Sequence, residues 1–125
     1  MVKAMRCWSK TVLLWNLALD ENDGPKNNGC SNCWGVVQVA SNGAVKRNAE
    51  YYALGHFGKF VAPGAVRLVS NGQSVSNVAF LNPDGSKVLI AVNTSSQPAG
   101  VTVKCSGRQF AYQMDGREVV TFRWR

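Results

Sequence analysis

The sequence is poor in histidine, in acidic residues and in long apolar runs. His56 is its one histidine, and seven acidic residues stand against fourteen lysines and arginines, which gives a net charge of +7. Nucleophilic catalysis by a Ser-His or Cys-His pair would have to use His56 as its base, and the spacing of the sequence indicates no serine or cysteine to pair with it. The longest apolar run, residues 11–19, is interrupted by Asn16 and is too short to span a bilayer. No membrane partner is therefore predicted.

The first eight residues, MVKAMRCW, carry positive charge but no continuous apolar region followed by a small-residue cleavage site. They do not match a signal peptide, and the sequence leaves the localisation undetermined. Hydrophobic residues make up 46% of the chain, and no low-complexity tract interrupts it. A packed core is expected without help from a metal, and no cofactor is predicted.

The basic residues are scattered along the chain without a dense run. Nucleic-acid-binding proteins concentrate such residues on one face or in one stretch, because neighbouring phosphates must be neutralised together. The pattern favours a solvated surface and disfavours a nucleic-acid partner. A basic nucleic-acid-binding β domain is kept as a third hypothesis.

The four cysteines include the motif Cys30-Ser-Asn-Cys33, which has three interpretations. A thioredoxin-like redox site requires the motif at a helix start after a strand, whereas Gly29 and Asn32 indicate a loop. A zinc site needs four ligands, and the other candidates lack finger-like spacing. A short structural disulfide in the loop is the favoured interpretation. Two further cysteines, Cys7 and Cys105, are predicted to be buried thiols.

The first half of the chain predicts a strand, a loop with a hairpin, and one helix. Residues 11–19 form a continuous apolar run, typical of a parallel strand buried on both faces. A long polar loop follows, and then Asn42-Gly43 predicts a tight hairpin. Apolar residues at helical spacing predict a helix at about 49–60, which the Pro63-Gly64 pair ends.

The second half is mainly β. Six strand-like segments follow from residue 65 onward, at spacings near ten residues, with turn residues between them: 65–70, 74–81, 87–93, 100–105, 108–114 and 119–124. Short strands at this spacing predict an antiparallel β-sandwich at 65–125. The domain boundary is predicted between residues 61 and 64.

Two kinds of side chain could act on a ligand. A retaining glycosidase needs two carboxyl groups about 5 Å apart, and only Asp20, Glu21 and Asp23 cluster near a strand end, on a loop. The residues therefore predict no catalytic dyad. Sugars stack on flat aromatic faces and need polar partners for their hydroxyls. Trp15-Asn16 fits that pattern, and Trp34 is a lesser candidate.

Four segments, in this order, resemble family 30 glycoside hydrolases, the glucosylceramidase-like enzymes: WNLALDENDGP, EYYALGHFGKFVAPGAVR, VAFLNPDGSKVLIAVN and VTFRW. By that resemblance, residues 1–61 are a remnant of the last βα unit of a (β/α)8 barrel. Residues 62–125 are most of the β-sandwich beside it. By the resemblance, Trp15 and Asn16 match the family's strand-end Trp-Asn, in which the Trp lines the sugar-binding pocket, and a Cys30–Cys33 bridge is favoured. The family is often secreted.

No position of this chain matches the family's catalytic glutamates, so no catalytic residue is predicted. The leading hypothesis is a non-catalytic β-sandwich module, with a β-linked glycan as its ligand. The second is a retaining O-glycosyl hydrolase, of glucosylceramidase or β-1,6-glucanase type, once joined to a catalytic barrel. Because family sandwiches also use strands from elsewhere in the chain, exposed strand edges and self-association are expected here.

Overall fold

A computed structural model describes residues 1–72 and 74–125 of the chain. In chain order the elements are α1 (Val2–Arg6), β1 (Ala18–Leu19), β2 (Val37–Val39), β3 (Val45–Arg47), α2 (Ala49–Gly58), β4 (Val66–Leu68), β5 (Ser76–Leu81), β6 (Lys87–Val92), β7 (Ala99–Cys105), β8 (Arg108–Met114) and β9 (Val119–Trp124). The chain folds into two compact units: residues 11–55, and residues 1–10 together with 56–125. Over the described residues, both helices fall short of the length and apolarity that a membrane span requires.

The unit of residues 11–55 contains a three-stranded sheet in the order β1-β2-β3. Strand β1 pairs with β2 in parallel, with Ala18 opposite Val37, and β2 pairs with β3 antiparallel. The β2–β3 turn contains Asn42 and Gly43, and Gly43 adopts a positive φ of 82°, which glycine accepts without steric cost. The predicted hairpin is confirmed.

The predicted buried strand at 11–19 is wrong over most of its length. Only Ala18 and Leu19 are in strand conformation, and Leu13 and Leu17 are 92% and 76% exposed. An apolar run becomes a buried strand only where neighbouring strands accept its backbone hydrogen bonds and cover its faces. Within the described residues β1 pairs with β2 alone, so the run before it lacks those neighbours.

The second unit is an antiparallel β-sandwich, as predicted. A four-stranded sheet runs in the order β4-β5-β6-β9, and β7 pairs with β8 in a two-stranded sheet. All six strands begin and end within two residues of their predicted bounds. The β7–β8 turn uses Ser106 and Gly107, both with positive φ (51° and 76°), the conformation of a type I′ hairpin.

Strands β5 and β6 are buried on both faces of the four-stranded sheet. Because side chains alternate along a strand, each strand contributes to two cores. The core on the first face contains Val78, Phe80, Val88 and Ile90. The core on the second face consists of two clusters, one with Ala91 and Met114 and one with Ala79, Leu89 and Val103. Residues of β7 and β8 cover the second face. Residues at the end of α2 and just after it, Phe57, Phe60 and Val61, cover the first.

The first ten residues also belong to this unit, which the sequence did not predict. Val2 of α1 is 7% exposed and lies in the core of the first face, where Met5 packs beside it. The Arg6 guanidinium donates to the backbone carbonyls of Ser70 (2.8 Å) and Asn77 (3.1 Å). Helix α1 is therefore tied to the sandwich by both apolar and polar contacts.

Candidate functional site

The predicted ligand residues lie in the unit of residues 11–55. Trp15 and Trp34 are 81% and 62% exposed. The carbonyl oxygen of Asn16 accepts a hydrogen bond from the Val36 amide at 3.1 Å. Trp15 and Trp34 each lie three residues before a strand, and because β1 and β2 are parallel, both precede the same end of the pair. The predicted strand at 11–19, by contrast, contained Trp15 and Asn16.

A close backbone approach holds this end of the pair together. A Cβ atom on Gly35 would lie 2.6 Å from the Val37 carbonyl oxygen and 3.0 Å from the Leu19 amide nitrogen, so only glycine fits there. The Asn48 side chain donates to the Gly35 carbonyl at 2.9 Å. Asn16 itself adopts a φ of 64°, a left-handed conformation that asparagine tolerates better than most residues. The backbone beside the Trp-Asn pair is thus constrained by close contacts.

The cysteine motif lies directly before Trp34. The structure places Cys30 and Cys33 as a disulfide pair, with their Cα atoms 5.6 Å apart. The prediction of buried thiols at the other two cysteines is wrong, since Cys7 is exposed and Cys105 is only half-buried. Cys7 immediately follows the end of the short helix α1, where its side chain meets solvent.

The carboxylates of Asp20 and Glu21, just after β1, accept hydrogen bonds from nearby loop residues. Asp20 accepts hydrogen bonds from the backbone amides of Gly24 (2.7 Å) and Asn22 (2.8 Å), and these bonds lower the pKa of its carboxyl group. Glu21 accepts from the Ser41 hydroxyl (2.7 Å) and the Ser41 amide (3.0 Å), and its pKa is lowered chiefly by the hydroxyl. A general acid needs a raised pKa, so both shifts run in the opposite direction.

His56 and the metal-ligand candidates offer no second site. The His56 ring lies with its Nδ1 atom 2.8 Å from the Thr121 hydroxyl, and partial burial lowers its pKa. Over residues 1–72 and 74–125, no three His, Cys, Asp or Glu side chains converge as metal ligands would. The histidine is a packed residue of the sandwich.

Two exposed aromatic features were not predicted from the sequence. Trp8, two residues after α1, is 75% exposed, and the Arg67 guanidinium carbon lies 3.9 Å from its ring centroid. Phe110 and Tyr112 on β8 are each 39% exposed, and both rings contact Phe122 on β9. A strand at the edge of a sheet leaves its inward side chains partly open to solvent, and the sequence does not reveal which strand is at the edge.

Comparisons with known proteins agree with this architecture. Residues 64–122 match the profile of the glycosyl hydrolase family 30 beta sandwich domain. The chain is 34% identical over 125 residues to an endo-1,6-beta-D-glucanase of Aspergillus fumigatus, covering 92% of this chain and 25% of that protein. It is 32% identical over 118 residues to the lysosomal acid glucosylceramidase of Mus musculus, covering 89% and 22%.

Solved structures give the same result. The endo-beta1,6-glucanase BT3312 superposes with a TM-score of 0.85 at 32% identity, over 98% of this chain and 29% of that one. SrfJ of Salmonella typhimurium superposes with a TM-score of 0.81 at 32% identity, over 89% and 25%.

The chain spans about a quarter of the length of the curated relatives it matches. The matched part of those relatives is their carboxyl-terminal portion, which contains the β-sandwich. From the profile match, the identities of 32–34% and the TM-scores of 0.85 and 0.81, the chain belongs to glycoside hydrolase family 30, as the carboxyl-terminal portion with the β-sandwich domain.

Proposed function

We propose that this chain is a non-catalytic β-sandwich module that contributes one aromatic wall of a site for β-linked glucose oligosaccharides. The observation that carries the proposal is the pair of exposed tryptophans, Trp15 and Trp34, at the same end of the β1–β2 pair. Large exposed aromatic rings held by a fixed backbone suit the apolar C–H faces of sugars. Asn16, between Trp15 and the strand, supplies an amide for sugar hydroxyls.

The choice of sugar follows from the relatives. Several of them are named endo-1,6-beta-D-glucanases, and the mouse relative is named a glucosylceramidase. A glucosyl group is common to these names, and the glucanase names specify a β-1,6 linkage. A β-1,6-linked glucose oligosaccharide is therefore the first ligand to test.

Calorimetric titration of the 125-residue chain with β-1,6-linked glucose tetrasaccharide tests the proposal. We expect Trp15→Ala and Trp34→Ala each to weaken association about twofold to tenfold, since one aromatic contact contributes about 0.5–1.5 kcal/mol. Trp8→Ala is the matched control, because it removes an equally exposed tryptophan from the other unit. No heat with this sugar, or equal losses in all three variants, contradicts a glycan site at Trp15 and Trp34.

Catalysis is proposed only for whole proteins that contain this portion, as retaining O-glycosyl hydrolysis of glucosylceramide or β-1,6-glucan. In this chain the loop hydrogen bonds of Asp20 and Glu21 support a non-catalytic role. The purified chain is expected to release no nitrophenol from an aryl β-glucoside. Release that disappears in Asp20→Asn or Glu21→Gln would overturn the non-catalytic assignment.

We also propose that the chain self-associates through a strand edge of the sandwich. Four strands in one sheet face two in the other, and a groove of about 510 Å³ lies beside β7, lined by Leu68, Ala79, Val101 and Val103 among others. Free strand edges are usually protected by short length, charged side chains or proline. Strand β7 is seven residues long and has one charged residue, Lys104, and no proline. A strand of a second copy would pair with it.

Multi-angle light scattering over a range of concentrations tests this association. The mean mass is expected to rise with concentration for the native chain. Thr102→Lys adds a charge to the exposed side of β7 and should lower the mean mass at high concentration, whereas Thr94→Lys in an exposed loop should leave it unchanged. A monomeric mass at the highest concentration would contradict the proposal.

A further inference from the structure

An open cleft lies at one end of the sandwich, where the ends of two strand ladders coincide. Lys87 at the start of β6 is opposite Trp124 of β9, and Cys105 of β7 is opposite Arg108 of β8. The space between these ends has a volume of about 600 Å³, within the range of small-molecule sites. It is separate from the tryptophans of the proposed glycan wall, which lie in the other unit.

One wall of the cleft is aromatic and is held in position by core packing. The Phe110 ring contacts Phe122 at a centroid distance of 5.1 Å and Trp124 at 6.2 Å, the latter edge to face. These contacts fix the ring, yet 39% of Phe110 remains exposed. A ring that is both fixed and exposed presents apolar surface to a ligand at little entropic cost.

The rest of the lining is basic. Lys87, Arg108 and Arg125 line the cleft, and no acidic residue does so in the described part of the chain. Lys87 and Arg108 form no ion pair with any described residue. Arg125 lies 3.6 Å from Asp84, whose shorter contact, 2.8 Å, is with Arg123. Two of the three cations are therefore free for an anionic ligand.

This combination selects the chemistry of the ligand. Guanidinium groups bind carboxylates and phosphates through paired N–H donors, and an aromatic face binds the C–H surface of a sugar ring. A nucleic-acid strand needs cations along the whole track of its phosphates. Here the three cations line one cleft, the other basic residues of the chain are scattered, and Gln109 of β8 adds a neutral amide to the lining.

We propose that this cleft binds an acidic oligosaccharide, with a uronate carboxylate at Lys87 and Arg108 and a sugar ring against Phe110. The proposed glycan wall at Trp15 and Trp34 plays no part in it. The two proposals are independent, because the two sites share no residue and a negative result for one leaves the other unaffected.

The probes are a tetramer of galacturonic acid and its methyl ester, which has the same rings without the charge. Calorimetry at low ionic strength should detect the acid and give at least tenfold weaker binding for the ester. Lys87→Gln with Arg108→Gln should weaken acid binding about tenfold or more, as expected for lost charged hydrogen bonds. Lys46→Gln with Lys59→Gln changes the net charge equally and should leave acid binding within twofold.

The free thiol of Cys105 reports where the ligand binds. In a Cys7→Ser variant, Cys105 is the one free cysteine left, and it lines the cleft. Acid binding should slow its alkylation at least threefold, and Phe110→Ala should reduce both binding and protection. Equal binding of acid and ester, equal losses in the two double variants, or unchanged alkylation would overturn the proposal. Tighter binding of a single-stranded DNA 12-mer, lost in the Lys87/Arg108 variant, would replace the saccharide by nucleic acid.

Discussion

A single carboxylate organises the turn between β5 and β6. Asp84 accepts hydrogen bonds from the Ser86 hydroxyl (2.6 Å) and the Ser86 amide (2.9 Å), and its other oxygen accepts from Arg123 at 2.8 Å. The Ser86 bonds first, and the Arg123 charge after them, lower the pKa of Asp84 from 3.8 to about 2. The link from Asp84 to β9 could not be predicted from the sequence, because Arg123 is distant in the chain.

The lowered pKa predicts how stability depends on pH. Because the folded state favours the ionised form, the contribution of Asp84 is fully present well above pH 3.8 and is lost as the pH falls toward about 2. Asp84→Asn should lower the melting temperature at pH 6 and should show a smaller further fall between pH 4 and pH 2. Thermal unfolding followed by circular dichroism measures both.

The matched control is Asp115→Asn, in the turn between β8 and β9. In that variant the melting temperature should fall between pH 4 and pH 2 by as much as it does in the native chain. A native-like pH profile for Asp84→Asn would show that other groups account for the acid sensitivity.

At the scale of elements, two buried asparagines connect strands to their neighbours. Asn82, 4% exposed, follows β5; its amide donates to the Phe60 carbonyl and its oxygen accepts from the Ala62 amide, both at 3.0 Å. Asn93, 2% exposed, follows β6 and donates to the carbonyls of Gln97 and Asp115 at 2.8 Å. Each side chain thus makes hydrogen bonds with backbone groups that lie outside helices and strands and would otherwise be unpaired.

Asn82→Ala should reduce the free energy of unfolding by about 2 kcal/mol or more, because it leaves buried backbone partners unsatisfied. Asn71→Ala, at an exposed loop position, should change it by less than about 0.5 kcal/mol. Urea denaturation of both variants measures the difference. Equal stabilities would mean that water replaces Asn82 as the link between the segment after α2 and the β5–β6 hairpin.

Elements were predictable where the signal was local. The period-two pattern and the Asn-Gly and Ser-Gly turns located β2, β3 and the six strands of the sandwich. The apolar run at 11–19 misled because burial of a strand depends on neighbours that its own residues do not specify. The positions of Trp15 and Trp34 depend likewise on the parallel pairing of β1 with β2, which no periodicity reveals.

At the scale of the molecule, the sandwich unit is discontinuous in sequence. Its first face is covered partly by Val2 and Met5, although residues 11–55 form a separate unit. Four strands facing two also leave edges open, and the groove beside β7 lies at such an edge. Neither the packing of α1 nor the numbers of strands in the two sheets follows from residue patterns, because both depend on contacts distant in the chain.

Val2→Ala should therefore destabilise the sandwich by about 1.5 kcal/mol, the value for two buried methyl groups. Removing residues 1–10 should have a larger effect, because the bonds from Arg6 to Ser70 and Asn77 are lost as well. Amide exchange of β5 and β6 measures the change directly. Lys3→Ala, on the exposed side of α1, is the control, and equal protection in all variants would show that α1 does not stabilise the sheet.

The burial of Val2 among residues of β5 and β6 has a consequence for biosynthesis. A ribosome adds roughly 5–20 residues per second, so Val2 is incorporated roughly 4–18 seconds before Ile90. During that interval the apolar side of α1 has no core to enter, and the leucines at 13, 14 and 17, which are exposed in the folded chain, add to the apolar surface. Apolar surface of this kind is what makes incompletely folded chains prone to aggregation. Slow codons placed before β6 would lengthen that exposure.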